Sequence, residues 1–405
     1  MNEGAAEHSS FILLPSSFLP NTPLTLRLAT VFYLTHIALQ GWVASSESFA
    51  WFFMLWLGWA AAHRQIRITF HILYFPLALY ALVSTISAIA APREIHGAWE
   101  LMTWFKILLF PAALSLFRAV PQTRVLALRA HIAFAVYVAA YGLFQYFVLH
   151  QRDLEHRITG TASHVMTFSG LLLPLSLMLV VMSAHEKKPW LIAAAGLVTL
   201  ALLLTFTRSV WLGWIVAIFV LLTVTRARWL VFAAPAFVVF ITFMPLSIFS
   251  RFVSTFDTKQ SSNLDRIRMF EAGVEIIRDA PLLGVGPANV KEIYPLYRKH
   301  DAPRFRIPHL HNNVVQIWAE RGILGLAAYV LLLSLFLRQC ARAWRGPGRM
   351  WAEVGVAVTV GLTVAGLFEF NFGDTEVFYL MLDLFALVIA STEAAGMTDA
   401  PTLVP

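Results

Sequence analysis

The sequence predicts an all-α, polytopic membrane protein with about 12 transmembrane helices and one long outward loop that itself contains helices. Three observations predict it. Of 405 residues, 59% are hydrophobic and only 13% charged, about half the charged share of a soluble domain. Apolar runs of ~20 residues, the length a helix needs to cross a bilayer, recur along the whole chain. None shows the ten-residue alternation of a membrane barrel, so the spans are helices that satisfy their own backbone hydrogen bonds.

The runs are Leu26–Val43, Phe49–Ala62, Ile68–Ala90, Trp99–Val120, Val125–Leu149, Val165–Ala184, Trp190–Thr207, Val210–Val224, Trp229–Phe249, Gly322–Phe336, Val354–Phe370 and Val377–Ala390. The Phe49 run is short and could instead be re-entrant. The start, MNEGAAEHSS, lacks the basic region and cleavage site of a signal peptide, so the first helix is expected to stay in the mature protein.

Orientation follows from the short loops. HRQIR, FRAVPQTR, HEKKP, TRAR and RQCARAWRGPGR carry Lys and Arg, whereas ASSES, APREIHG and FEFNFGD are neutral or acidic. Both termini are therefore expected in the cytoplasm. The chain then divides into transmembrane helices over 1–249, an outward catalytic loop over 250–313, three further helices over 314–392 and a cytoplasmic tail over 393–405. The net charge of +7 comes from arginines at helix ends and suits a membrane surface rather than nucleic acid. A single cysteine, Cys340, excludes an intramolecular disulfide and a cysteine-based zinc site.

Within the loop, LDRIRMFEAGVEIIRDAPLLGVGPANV has helical apolar spacing from Ile267 to Ile277 and then a glycine-rich bend. Ionisable residues at membrane mouths carry the functional signal, because each is costly in lipid. Arg208 sits in TFTRSVWLGW, Lys106 lies inside a span, and Arg157 stands in an outer loop beside Gly160, His156 and His164. Arg266 and Arg268 are two positions apart and occupy different helix faces. His309 and His311 are expected to project to opposite sides of an extended strand, or about 200° apart in a helix, so they do not serve one proton transfer, and without nearby carboxylates no two-histidine metal pair is expected. Asp257, Asp265, Glu271, Glu275 and Asp279 are scattered among bases, and no metal is expected.

Arg208, Arg266, His311 and Arg157 all fall on the outer side. Converging guanidinium groups suit a phosphate, and an imidazole can take a proton from a hydroxyl nucleophile. Together they read as glycosyl transfer from a lipid-linked phosphate or pyrophosphate.

The spacing of His311-Asn312 before GILG, together with LDRIRMFEAGVEIIRDAPLLGVGPANV, TFTRSVWLG and RITGTASH, resembles the O-antigen ligases of Gram-negative bacteria. These share a superfamily with O-antigen polymerases and protein O-oligosaccharyltransferases. The resemblance implies transfer of an O-antigen glycan from undecaprenyl pyrophosphate to the lipid A-core oligosaccharide. It also implies an inner-membrane location, a periplasmic active site, a type C glycosyltransferase architecture and a metal-independent inverting reaction without cofactors. Matched residue by residue, the catalytic set is His311, Arg208 and Arg266, with Arg157, Asn312, His309 and Lys106 also placed on the pyrophosphate-linked donor. Phe270 stands where the family commonly has tryptophan. His311 acts either as base or as a positioning group, and the sequence leaves both open. A polymerase would share the donor, a pilin glycosyltransferase would need a larger outer domain, and a lipid-linked glycan transporter would need matching halves with interrupted helices.

Overall fold

A computed structural model describes residue 19 and residues 22–91, 103–152, 156–225 and 261–398. Among these residues the chain forms thirteen helices and no strand beyond one isolated bridge between Arg152 and Arg157. In chain order they are α1 (Leu24–Ala38), α2 (Val43–Ala62), α3 (Tyr74–Ala90), α4 (Thr103–Ala119), α5 (Gln122–Phe147), α6 (Val165–Glu186), α7 (Pro189–Leu204), α8 (Arg208–Thr225), α9 (Ser261–Asp279), α10 (Val290–Tyr297), α11 (Asn313–Ala343), α12 (Arg349–Ala365) and α13 (Thr375–Thr398). Five of them, α5, α6, α8, α11 and α13, are long and apolar enough to cross a membrane. Three more, α1, α3 and α7, are apolar but shorter. The chain is a multi-pass membrane protein.

Several boundaries differ from the sequence expectation. The first run breaks at residues 39–42, and Val43 opens α2, an unbroken helix of 20 residues rather than a short segment. The run expected over Val354–Phe370 stops at Ala365, because Gly366 and a looping segment follow. Leu367 and Phe368 are apolar but exposed, so hydrophobicity extended the expected helix past its true end. The span expected over Trp229–Phe249 lies outside the described residues.

Helices α6 and α13 are mostly apolar and lie buried at the centre; the one carboxylate buried at the middle of α13, Asp383, accepts from Tyr33 at 2.9 Å and Gln40 at 2.7 Å, as a buried charge must be paired. Small residues set the closest approaches, as is usual between membrane helices. A Cβ on Gly213 of α8 would sit 2.5 Å from the carbonyl of Gly361 on α12, so only glycine lets the two backbones pack this closely.

The segment that carries α9 and α10 has its own core. Met269, Ala272 and Ile276 of α9 pack with Val290 and Tyr294 of α10, with Ile307 and Leu310, and with Val315 and Ala319 of α11. This core joins the bundle through a break in α11 at Gly322, whose φ is +67°. The glycine-rich bend docks into the break: Val285 and Gly286 donate to the carbonyls of Ala319 and Glu320, both at 2.9 Å, and Ile323 donates to Pro281 at 2.9 Å. Backbone groups freed by the break are thus paired again, as buried ones must be. Gln316, Glu320 and Arg321 extend the joint as a buried chain. Gln316 donates to Glu320 at 2.6 Å, Glu320 pairs with Arg321 at 2.6 Å, and Arg321 reaches Ser84 at 3.0 Å and the ring of Tyr80.

Candidate functional site

One end of the bundle carries a cavity of about 220 Å³ lined by Arg157, His164, Met166, Thr207, Arg208, Ser209, Arg266, Arg304 and His311. These residues come from five separate places in the chain, and each arrives for a local reason.

Arg208 arrives through a reversal of only three residues between α7 and α8. Buried Phe206 adopts φ +54° there, a left-handed turn that leaves no room for a loop. Arg208 becomes the first residue of α8 and donates to Asn263 of α9 at 2.7 Å. Next to it, the hydroxyl of Ser209 is buried without a hydrogen-bond partner. The N-terminal ends of α6 and α8 both open on the cavity, and helix N-termini favour anions.

Arg157 arrives on a short element pinned by Gln145 at the end of α5. The Gln145 carboxamide oxygen accepts from Thr159 N–H at 3.1 Å and Gly160 N–H at 2.8 Å, and its NH₂ donates to the Gly160 carbonyl at 3.2 Å. Gly160 has φ +58° and lies so close to Phe168 that a Cβ would meet the ring at 2.3 Å. The loop that carries the arginine to the cavity is therefore held in place.

Arg266 faces the cavity and Arg268 does not. Arg268 pairs with Glu271 at 2.7 Å and Asp301 at 2.5 Å on the solvent side of α9. Arg266 lies against Glu369, 4.0 Å away, and burial lowers its pKa from the usual guanidinium value although Glu369 acts to raise it. Arg304, which the sequence did not single out, completes a ring of four arginines and is itself tethered to buried Asp265.

The expected divergence of His309 and His311 is not what the chain does. His311 adopts φ +51°, and this left-handed residue turns the extended strand so that the two rings lie 4.3 Å apart. Both reach one carboxylate, Glu369. The Nδ1–H of His311 donates to both Glu369 oxygens, at 3.0 and 2.9 Å. His309 Nε2 lies 3.4 Å from Glu369 Oε1, while its Nδ1 accepts the backbone N–H of His311 at 3.3 Å. An ionised carboxylate only accepts, so His311 carries a proton on Nδ1, and in the neutral imidazole Nε2 is the nitrogen with the lone pair. That Nε2 is buried and has no protein partner.

Burial alone would raise the pKa of Glu369. The hydrogen bond from His311 and the charges of His311, His309 and Arg266 outweigh it and hold the value at about 2. Burial likewise pulls His309 down to about 4, against the opposing pull of Glu369. His309, His311 and Glu369 offer three ligand atoms within 4.8 Å of one another, the set among the described residues with metal-ligand geometry. Glu369 is the nearby carboxylate that the sequence reading lacked, and Arg266 stands 4.0 Å from it.

The two asparagines after His311 hold Glu369 in place. Asn312 caps α11, accepting from Val315 N–H at 3.0 Å, and donates to the Leu367 carbonyl at 2.8 Å. Asn313 donates to Asn371 at 2.6 Å, accepts from Phe372 N–H at 3.2 Å, and its own N–H reaches the Gly366 carbonyl at 2.7 Å. Asn312 is thus committed to the backbone and does not line the cavity. Lys106 also lies elsewhere, donating to Thr375 at 2.7 Å and standing 3.6 Å from Glu47. Glu369 escaped the sequence reading because it sits in an apolar run; the paired asparagines beside the histidine were the signal for a loop docked there.

Such a cavity, four guanidiniums and two helix N-termini around an imidazole with a free lone pair, suits a phosphate ester and a proton transfer. Residues 193–330 match the O-antigen ligase family. The match spans about a third of the chain, from α7 to the middle of α11. Arg208, Arg266, Arg304, His309 and His311 lie inside the matched segment, whereas Arg157 and Glu369 lie outside it. No curated protein matches the chain.

Proposed function

We propose that the protein is an O-antigen ligase that transfers a glycan from undecaprenyl pyrophosphate to the lipid A-core oligosaccharide, on the periplasmic face of the bacterial inner membrane, within a type C glycosyltransferase architecture. One observation carries this reading: Arg157, Arg208, Arg266 and Arg304 share a cavity with an imidazole whose Nε2 is free.

The chemistry follows. The acceptor hydroxyl gives its proton to His311 Nε2 as its oxygen attacks the anomeric carbon. The bond from that carbon to the pyrophosphate oxygen breaks on the opposite face, and its electron pair leaves with the pyrophosphate. Arg208 and Arg266 stabilise the charge that grows there, and the configuration inverts. Glu369 keeps the His311 tautomer and offsets the charge of the imidazolium formed, and with His311 as base and the arginines on the leaving pyrophosphate the proposed reaction is metal-independent.

The test is ligation by purified protein in detergent with lipid-linked O-antigen and lipid A-core, in the presence of a chelator. A ladder of capped lipopolysaccharide is expected, lost in His311→Ala and Arg266→Ala proteins that remain folded. Growth of the donor glycan without transfer to lipid A-core would identify a polymerase instead.

A further inference from the structure

The cavity is small for its proposed ligand. At about 220 Å³ it lies below the roughly 300–1,000 Å³ of sites that enclose a drug-sized molecule. It has room for a pyrophosphate, and the sugars of a lipid-linked glycan must continue across its lip.

Helix α9 forms part of that lip. At 100° per residue, Asn263, Arg266, Ile267 and Phe270 fall on one flank of the helix, within about 100° of each other. Asn263 binds Arg208 and Arg266 lines the cavity, so this flank faces the site. The opposite flank, Met269, Ala272 and Ile276, supplies the packing of the helix. Ile267 and Phe270 are 39% and 49% exposed and lie outside that core. Phe270 stands one turn, about 6 Å of rise, beyond Arg266. That is the length of a single sugar ring. A flat apolar ring exposed beside an anion site has the chemistry of a platform for the C–H face of a pyranose.

We propose that Phe270, flanked by Ile267, stacks on a sugar ring of the donor glycan close to the pyrophosphate, and so selects a glycosylated lipid over the bare lipid pyrophosphate. The proposal rests on the donor reading above. The test measures binding of two probes to the full-length protein in detergent: undecaprenyl pyrophosphate, and the same lipid carrying a disaccharide. Phe270→Ala is expected to weaken the disaccharide probe about tenfold, the upper range of an aromatic contact, and to leave the bare lipid unchanged. Unchanged bare-lipid binding also shows that the variant is folded. Phe270→Trp should bind the disaccharide probe at least as well as the native protein, and Phe270→Leu should behave as the alanine variant does. Equal loss for both probes, full binding by the leucine variant, or no loss in the alanine variant would overturn the platform alone. Failure of the native protein to bind either probe would overturn the donor reading and the platform with it.

Discussion

Replacing Glu369 with glutamine removes one charge from the centre of the site and almost no volume. The carboxylate accepts from His311 Nδ1 at 2.9 Å and from Phe370 N–H at 3.1 Å, with His309 Nε2 at 3.4 Å and Arg266 at 4.0 Å. Its pKa of about 2 against a usual 4.5 corresponds to roughly 3 kcal/mol of interaction favouring the ionised form. A depressed carboxylate contributes stability that is full above its unfolded pKa and lost as pH falls through the folded value. For Glu369 that window runs from 4.5 down to about 2, so Glu369→Gln should lower the unfolding temperature at pH 7 and shed this part of the acid sensitivity. In the reaction, the carboxylate faces an imidazolium. Charge-assisted hydrogen bonds contribute about 1.5–3 kcal/mol, so the ligation rate should fall by about 10- to 100-fold. The measurement is initial ligation rate beside thermal unfolding in detergent. A Glu369→Gln protein that ligates at the native rate would refute the carboxylate–imidazole arrangement as the source of basicity.

Protonation of His309, held down at about 4 against a usual 6.5, is disfavoured in the folded state, so stability should be full above pH 6.5 and fall between 6.5 and 4. His309→Gln should flatten unfolding temperature over that range, and an unchanged slope would assign it elsewhere. Gly322→Ala would drive a Cβ to 1.9 Å from the Leu282 carbonyl at a φ of +67°. The left-handed strain alone costs about 1–3 kcal/mol, and the steric clash adds to it, so limited proteolysis should cut the segment carrying α9 and α10 in this variant before the bundle. Arg268→Ala should keep ligation within about twofold, because exposed ion pairs contribute at most about 1 kcal/mol, whereas Arg304→Ala should slow it by about tenfold, the loss of one charge-assisted contact; similar rates for the two would remove the distinction between the solvent and cavity sides.

Local pattern was enough for much of the protein. The helices α5, α6 and α13 are legible because long apolar runs in a chain with few charges have one outcome in lipid. The spacing of Ile267 to Ile277 announced α9, and the two-residue offset of Arg266 and Arg268 meant that only one could face the site. The pairing of His309 with His311 was not legible, since period-two alternation assumes an extended strand and His311 instead takes a left-handed conformation. Nor was Arg304, one of several loop arginines until Asp265 oriented it.

What the chain settles by itself is the solvent each segment prefers: a mean hydropathy and charge pattern that commits it to a membrane, and a set of arginines and histidines placed at the ends of apolar helices. Which of those groups meet is a long-range matter. Glu369 is 58 residues from its hydrogen-bond partner His311, and Arg157 is 109 residues from Arg266 across the same cavity. No local periodicity carries such a distance. It is decided by the packing of α6, α8, α11 and α12 and by two asparagines that bring a loop to a helix cap.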